Sequence, residues 1–366
     1  MASTSKDPSR SDSRSALPRR ALLGAGGALL VTTSLPGCQF LSTSPGGSDA
    51  KGARGAAGAG KEAPALAKLA KAGKIPPVSK RLPSKPMVVK PVERTGVYGG
   101  EWRSALTGNA EAAYVYTFTA YEHLVRWKAD YRGAAGTKDI EPNVAERFEA
   151  SADGTTYTFW LRPGMRWSDG RPFTADDVVF AVEDALLDKD ISPDGTPLLA
   201  APDGRPARIE KIDDHTVKII FPAPSGLFLQ QLAGPNGFVL DKYPRHYLSQ
   251  FHKKYNPGAD ALAKKAGMKD WVALFGSKAS PWSFGDNPDL PTLGAWKLVT
   301  PFGKSTRVLL DRNPYYWKVD PNGSQLPYID RVVFDIVNDT DTMLLRASNG
   351  EIDLEVGPDT RFTNLS

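Results

Sequence analysis

Cysteine is nearly missing from this chain. Its 366 residues hold one, Cys38, so no intrachain disulfide can form. Histidine is almost as scarce, with four copies at unrelated spacings. His246 and His252 stand six apart, about 240° around a helix, so they cannot share a metal on one face. His123 has no second His or Cys at ligand spacing and reads as a surface residue between a helix and a strand. Gly-x-Ser-x-Gly, His-Glu-x-x-His and a phosphate-binding Gly-rich loop are all absent. Asp320-x-Asn322-x-Ser324 lacks the sixth-position Gly and twelfth-position Glu of a calcium loop. Nucleophilic, zinc-hydrolase and nucleotide chemistries therefore have no carrier. The expectation is a protein that is not an enzyme and needs neither metal nor cofactor; a secreted hydrolase is the alternative that no motif supports. No internal repeat is visible.

Charge is present but unevenly placed. Residues 1–97 hold 16 Lys/Arg against 5 Asp/Glu, a net of +11, and the remainder holds 30 against 36, a net of −6. The pI near 9.0 thus belongs to the N-terminal part, and the body is mildly acidic. That excludes a nucleic-acid reading built on pI and favours a basic tail beside an anionic membrane surface.

The most apolar stretch, residues 21–35, has 15 residues, where a comfortable membrane span needs about 20. It follows Arg19-Arg20 and precedes Leu35-Pro36-Gly37-Cys38, which makes residues 1–38 an export signal. Arg19-Arg20-Ala21-Leu22-Leu23 resembles a twin-arginine signal. Leu-Pro-Gly-Cys resembles a lipobox, in which Cys38 would be diacylated; Pro36 departs from the usual small or hydroxyl residue. Two or three acyl chains would anchor the protein stably to the outer face of the cytoplasmic membrane. Residues 39–92 are rich in Gly, Ala, Ser, Lys and Pro and read as a flexible tether, with a transient helix at Ala63–Ala72.

Tyr157–Phe180 (YTFWLRPGMRWSDGRPFTADDVVF) is the most informative stretch. Tyr157, Phe159 and Leu161 alternate with Thr156, Thr158, Trp160 and Arg162, as in a half-buried strand. Pro163-Gly164 breaks it, and Ser168–Pro172 is a turn. Thr174 stands three before Asp177, a capping-box start to a helix through Leu186. Asp176, Asp177, Glu183 and Asp184 read as a solvated helix end and outer face. This stretch resembles the core motif of the family 5 extracellular solute-binding proteins, the peptide, nickel and oligosaccharide receptors of ABC importers. The likeness continues through Tyr121–Trp127, Pro142–Phe148, Ile209–Phe221, Asp241–Tyr255, Pro291–Leu298, Arg307–Trp317, Leu326–Val337 and Ser348–Leu354. Along the way Pro222–Ala233 reads as a helix, Phe238–Leu240 as a buried strand and Ala259–Phe275 as a further helical pattern.

The resemblance implies an α/β, two-lobed, periplasmic-binding-protein-like fold. Lobe one would cover 98–290, with an extra subdomain at about 120–225. Lobe two would begin near 293 and run to 366. Relatives continue beyond the point where this chain stops, so the second lobe is expected to be incomplete, as in a truncated product; a non-functional fragment is the alternative to a working receptor. The implied function is capture of an oligopeptide or oligosaccharide in an interlobe cleft and delivery to ABC permease subunits. Candidate ligand contacts are Thr107, Gly108 and Asn109 in the loop after the first strand, Tyr114 and Tyr116 beyond it, and Trp282, Phe284 and Asn287 before the expected crossing. Packing of the core or hinge is an equal reading for each of these aromatics.

Overall fold

The computed structural model describes residues 61–120, 122–128, 139–235, 237–280 and 285–354. The export signal, with Arg19, Arg20 and Cys38, lies outside them. In chain order the elements are α1 (Pro64–Lys71), β1 (Met87–Val88), β2 (Glu101–Leu106), α2 (Ala112–Thr119), β3 (Val125–Trp127), β4 (Ile140–Pro142), β5 (Ala145–Ala150) and β6 (Thr156–Leu161). Then come α3 (Ala175–Ala181), β7 (Arg208–Asp213), β8 (Thr216–Ile220), α4 (Phe228–Leu232), α5 (Arg245–Leu248), α6 (Ala259–Lys265) and α7 (Trp271–Ala279). The last are β9 (Trp296–Thr300), β10 (Arg307–Arg312), β11 (Lys318–Val319), β12 (Arg331–Ile336) and α8 (Thr340–Ser348).

The alternation in β6 does what its period dictates. Tyr157, Phe159 and Leu161 are buried, and Thr156, Thr158 and Trp160 are only half-covered. β6 sits inside an antiparallel sheet of order β5-β6-β8-β7. Under its inner face Tyr157, Phe221 and Phe228 meet edge-on, with ring centroids 4.8 to 5.9 Å apart. Edge-to-face packing of this kind adds about 1 kcal/mol per pair beyond the area buried. α3 opens with the expected capping box: Thr174 N–H donates to Asp177 Oδ2 at 2.9 Å. One wide turn, Val182–Leu186, extends it.

The acidic residues of this helix are not all solvated. Asp177 is buried and also accepts from Arg245 N–H at 3.0 Å, and burial pushes its carboxyl up to about 6. Asp184 is buried beneath Lys254 Nζ, 2.5 Å away, and the Tyr255 hydroxyl. Helical periodicity shows which residues share a face, but not that a loop 70 residues later will cover it. Residues 237–240 form a 3-10 turn in place of a strand. The helices around them are shorter than their apolar patterns, because Pro224, Pro235 and Pro244 punctuate this region. The 259–275 pattern splits into α6 and α7, with Asp270 capping α7 through Ala273 N–H.

The second sheet overturns the expected boundary near 293. Its order is β2-β12-β10-β9, and β12 runs parallel to β2 from Arg331↔Glu101 to Ile336↔Leu106. The strands assigned to a second lobe thus complete the sheet that β2 begins. After α8 the chain returns to the free edge of β2: Asp353 N–H donates to Arg103 O at 2.9 Å, and Arg103 N–H to Asp353 Oδ2 at 2.8 Å. The reason is topological. An edge strand with open N–H and C=O groups accepts whichever later segment matches its register, and residue order does not reveal which.

The tether reading also fails from residue 61 onward. Residues 61–92 lie on the body as a strap. Ala63 and Leu66 are buried, and β1 pairs in parallel with β11. Gln325 N–H donates to Lys61 O at 2.8 Å, and Ser84 N–H to Pro163 O at 3.0 Å. Arg81 is fully buried, donating to Pro314 O at 2.5 Å and to the Glu62 carboxylate. His123 is likewise not a surface residue. It is 7% exposed beside a buried polar knot in which Glu122 accepts from Lys318 Nζ at 2.8 Å, Tyr316 hydroxyl at 2.7 Å and Asn143 Nδ2 at 2.8 Å. Burial alone would raise the Glu122 carboxyl, but these donors, Lys318 first, hold it below its usual range.

Two outcomes are expected. Arg81→Met removes one partner of a buried pair and should lower stability by about 3 kcal/mol, read as a shift in denaturation midpoint; an unshifted midpoint would mean the strap is dispensable. Burial pulls the His123 imidazole down to about 4, with Glu122 opposing. Its folded value thus lies below its unfolded one, so the stability it contributes is complete above pH 6.5 and drains away as pH falls towards 4. The loss should reach about 3 kcal/mol. The difference in melting temperature between wild type and His123→Gln should change over that window; a difference that is flat with pH would show that the ring is not held neutral.

Candidate functional site

Parallel strands carry their loops to a common end, and in open α/β sheets ligands bind outside the carboxyl ends of the strands. Here β2 and β12 are parallel, so the loops after Leu106 and Ile336 emerge side by side; Val337 N–H donates to Leu106 O at 2.9 Å. β10 runs antiparallel to β12 and begins at this same end, which brings the β9–β10 hairpin, residues 301–306, into the group. Ile336 N–H donates to Thr306 O at 2.9 Å. A fourth piece joins from the segment before β9: Phe302 N–H donates to Gly285 O at 2.9 Å. Gly285 is there by necessity. A Cβ on it would lie 2.5 Å from the Phe302 ring and 3.4 Å from Ala112 Cβ.

The loop 107–111 is pre-shaped by its own sequence. Glu111 Oε2 accepts from Thr107 N–H at 2.6 Å, and Glu111 N–H donates to Gly108 O at 3.1 Å. Thr107 and Gly108 are half-buried at the rim of the sheet. The Asn109 side chain lies outside the described residues. Tyr114 packs half-buried on α2, whereas Tyr116 is buried against Phe238, 5.2 Å between ring centroids. The Tyr116 ring thus packs into the core. Asn287 is buried too. Its amide nitrogen donates to Lys278 O at 3.2 Å and Tyr247 hydroxyl at 3.1 Å, so it braces the segment. Trp282 and Phe284 lie outside the described residues.

The structure thus brings Thr107, Gly108 and Tyr114 towards one end of the sheet and withdraws Tyr116 and Asn287 into the core. It adds the hairpin Pro301–Thr306, which the sequence reading passed over. The available signal was Pro-Phe-Gly-Lys-Ser between two alternating runs, a polar turn with one aromatic. Phe302 is half-buried and Lys304 exposed. Charge behind these loops is already paired: Arg307 and Arg346 flank Asp335 at 2.7 and 2.8 Å. Hydroxyl, amide and aromatic surface lies in front, beside the exposed Lys304 and Asp339 side chains, suited to hydrogen bonding and stacking. Among the described residues no group of three or more His, Cys, Asp or Glu is placed to hold a metal, and no helix is long and apolar enough to cross a membrane.

The opposite end of this sheet, where β9 begins, is tied to the neighbouring segments. Ser168 N–H donates to Thr292 O at 2.9 Å, and Thr292 N–H returns to Ser168 Oγ at 3.1 Å. Gly294 lies so close to the end of α2 that a Cβ would fall 2.3 Å from Ala120 Cα. Trp317 Nε1 donates to Leu293 O at 3.2 Å, and Asn313 Nδ2 to Gly294 O at 2.8 Å. Residues 290–294 therefore weld the two sheets together rather than starting a new lobe.

Residues 139–365 match the model of the bacterial extracellular solute-binding proteins, family 5 middle region. The chain is 31% identical over 309 residues to a periplasmic alpha-galactoside-binding protein of Rhizobium meliloti, covering 79% of this chain and 41% of that one. Among solved structures it resembles an oligopeptide-binding protein OppA, with 39% identity and a TM-score of 0.70 over 80% of this chain and 44% of the other. It also resembles the periplasmic binding protein MelB of Agrobacterium fabrum in complex with stachyose, with 30% identity and a TM-score of 0.62 over 80% and 43% of the two chains. The chain thus spans less than half the length of the relatives it matches. The matched segment takes in both sheets except β2 and the strap, and on it the chain belongs to the bacterial extracellular solute-binding proteins of family 5.

Proposed function

We propose that this chain supplies the ligand-receiving lobe of the extracytoplasmic solute-binding component of an ABC importer, and that it takes an oligopeptide or oligosaccharide. The observation that carries this reading is the convergence of residues 107–111, 301–306 and 337–339 at the carboxyl end of the parallel β2–β12 pair. A solute would rest on this rim, with Thr107 and Gly108 offering backbone and hydroxyl bonds and Phe302 and Tyr114 offering aromatic faces. Closure of a second lobe over it would exclude water and strengthen those bonds, and the closed form would dock on permease subunits. No bond in the solute is made or broken, and no metal or cofactor enters. The relatives named for alpha-galactosides and stachyose support the saccharide class, and the OppA likeness supports the peptide class.

Export by way of Arg19-Arg20 and acylation of Cys38 would hold the protein at the outer face of the cytoplasmic membrane. These residues lie outside the described structure, and their support is the sequence pattern alone.

The rim reading predicts saturable binding of stachyose or of a defined oligopeptide pool. Ligand at a hundred times Kd should add about 2.7 kcal/mol, a rise of several degrees in melting temperature. Phe302→Ala should weaken binding about tenfold while leaving the unliganded melting temperature within a few degrees. Absence of any saturable shift with either solute class would remove the reading. Separately, Cys38→Ser should move the protein into the soluble fraction of salt-washed membranes; retention through a 0.5 M salt wash, on the order of a 5 Å Debye length, would show that acylation is not the anchor.

A further inference from the structure

We propose that residues 61–92 form a second membrane contact, a docked basic face that rests on anionic phospholipid headgroups. Residues 61–90 carry seven lysines and Arg81 against a single acid, Glu62. The acid is spent internally on buried Arg81. All seven lysines are exposed, and only Lys85 has a carboxylate partner, Glu146 at 2.6 Å. Among the described residues, Lys61, Lys68, Lys71, Lys74, Lys80 and Lys90 make no ion pair. The fold sets their direction. Leu66 seats α1 on the body, and Lys68 and Lys71 lie about 200° and 140° around the helix from it, on the outward side. Lys74 and Lys80 follow in the exposed turns that end at buried Arg81.

The chemistry separates a bilayer from other polyanions. Two of the exposed large apolar residues stand beside these lysines: Val88 at 52% and Val92 at 100% exposure. A soluble polyanion has no use for them. A lipid interface takes ammonium groups at the headgroups and aliphatic side chains just below. The rest of the body has the opposite sign, a net of −6 over residues 98–366, so an anionic surface would attract this face and repel the others. Lys61 stands 23 residues after Cys38, a span of at most about 80 Å, so the contact is compatible with acylation there but does not require it.

Orientation follows from the sheet. Leu66, Leu69 and Ile75 share a cleft of about 570 Å³ with Gly100, Glu101, Asp330 and Arg331, which are the amino ends of β2 and β12. The solute rim is at the carboxyl ends. A molecule resting on its strap would present the rim away from the bilayer.

The test uses the full chain carrying Cys38→Ser, which removes the acyl route, and vesicles of phosphatidylcholine with or without 30% phosphatidylglycerol. The chain should cosediment with the anionic vesicles at about 20 mM salt, release at about 500 mM, and ignore neutral vesicles. Adding Lys68→Gln, Lys71→Gln, Lys74→Gln and Lys80→Gln should weaken binding at least about a hundredfold, at about fivefold per lysine, with an unchanged melting temperature. Undiminished binding by that variant would assign the contact to residues 1–60 and overturn the proposal. Equal binding to neutral vesicles, or none to either, would overturn it as well. The readout involves no solute, so its failure leaves the solute-binding reading where it stands.

Discussion

The structure depends on one parallel ladder. β12 pairs with β2 along six residues, and Arg331 meets Glu101 from 230 positions further along the chain. Until that pairing forms, β2 has no neighbour among the named strands and β10 and β9 have no platform. Closing a loop of that length costs only a few kcal/mol more than closing a short one, because the entropy grows with the logarithm of length. The ladder is secured by what it buries: Leu106, Val308, Leu310, Val332 and Phe334 form one core with Val115 and Phe275 from the helices beneath. Parallel pairing also decides where function can be. It sends the exits of β2 and β12 to the same end, so loops far apart in sequence become one rim.

Everything between β2 and β9 must then leave the main sheet and come back to it. The antiparallel sheet β5-β6-β8-β7 is this excursion, and its return is fixed at several points. Ser168 and Thr292 exchange two hydrogen bonds, Gly294 admits the end of α2, and Arg162 reaches both Asn143 O and Lys85 O. The Glu122–Lys318 pair adds a charged tie between the start of the excursion and β11. A buried pair like this contributes little net stability but is costly to mismatch, so it specifies one arrangement of the two sheets. The strap runs across the same junction, from Lys61 O on Gln325 to Ser84 on Pro163.

The sequence made the local half of this legible. Strand β6, its breaker, the Thr174–Asp177 box and the family likeness could all be read from residues a few positions apart, because each depends on neighbours in the chain. The misreadings share a different cause. Asp184, His123 and the strap from Lys61 onward look solvent-facing by type and spacing, and each is covered by a segment between about 70 and 260 positions away. The boundary at 293 failed for the same reason: Pro-Thr-Leu-Gly looks like a hinge locally and is a weld in space. For the rim, residue type pointed to Thr107, Gly108 and Tyr114, but it could not tell Tyr116 from Tyr114. Which tyrosine turns inward depends on Phe238, which lies beyond the reach of helical periodicity. The hairpin 301–306 was missed because a turn acquires its partner loops only through the direction of β10.

Charge is distributed along the same axis that the ladder defines. At the carboxyl end, Arg307 and Arg346 pair with Asp335 behind a rim of hydroxyl, amide and ring surface that also carries the exposed Lys304 and Asp339. Such a rim discriminates by hydrogen-bond geometry and shape. At the amino end, Arg312 pairs with Asp330 and Arg331 with Asp311, while the strap adds six lysines that make no ion pair among the described residues. A β-sheet has little net dipole to impose this asymmetry, so it arises from side chains added to the frame. The excess lysines stand outside every ion pair that holds the strap in place. Folding therefore puts no constraint on their sign: the strap would dock as well with glutamines in their place, which separates the charge of this face from the interactions that build it.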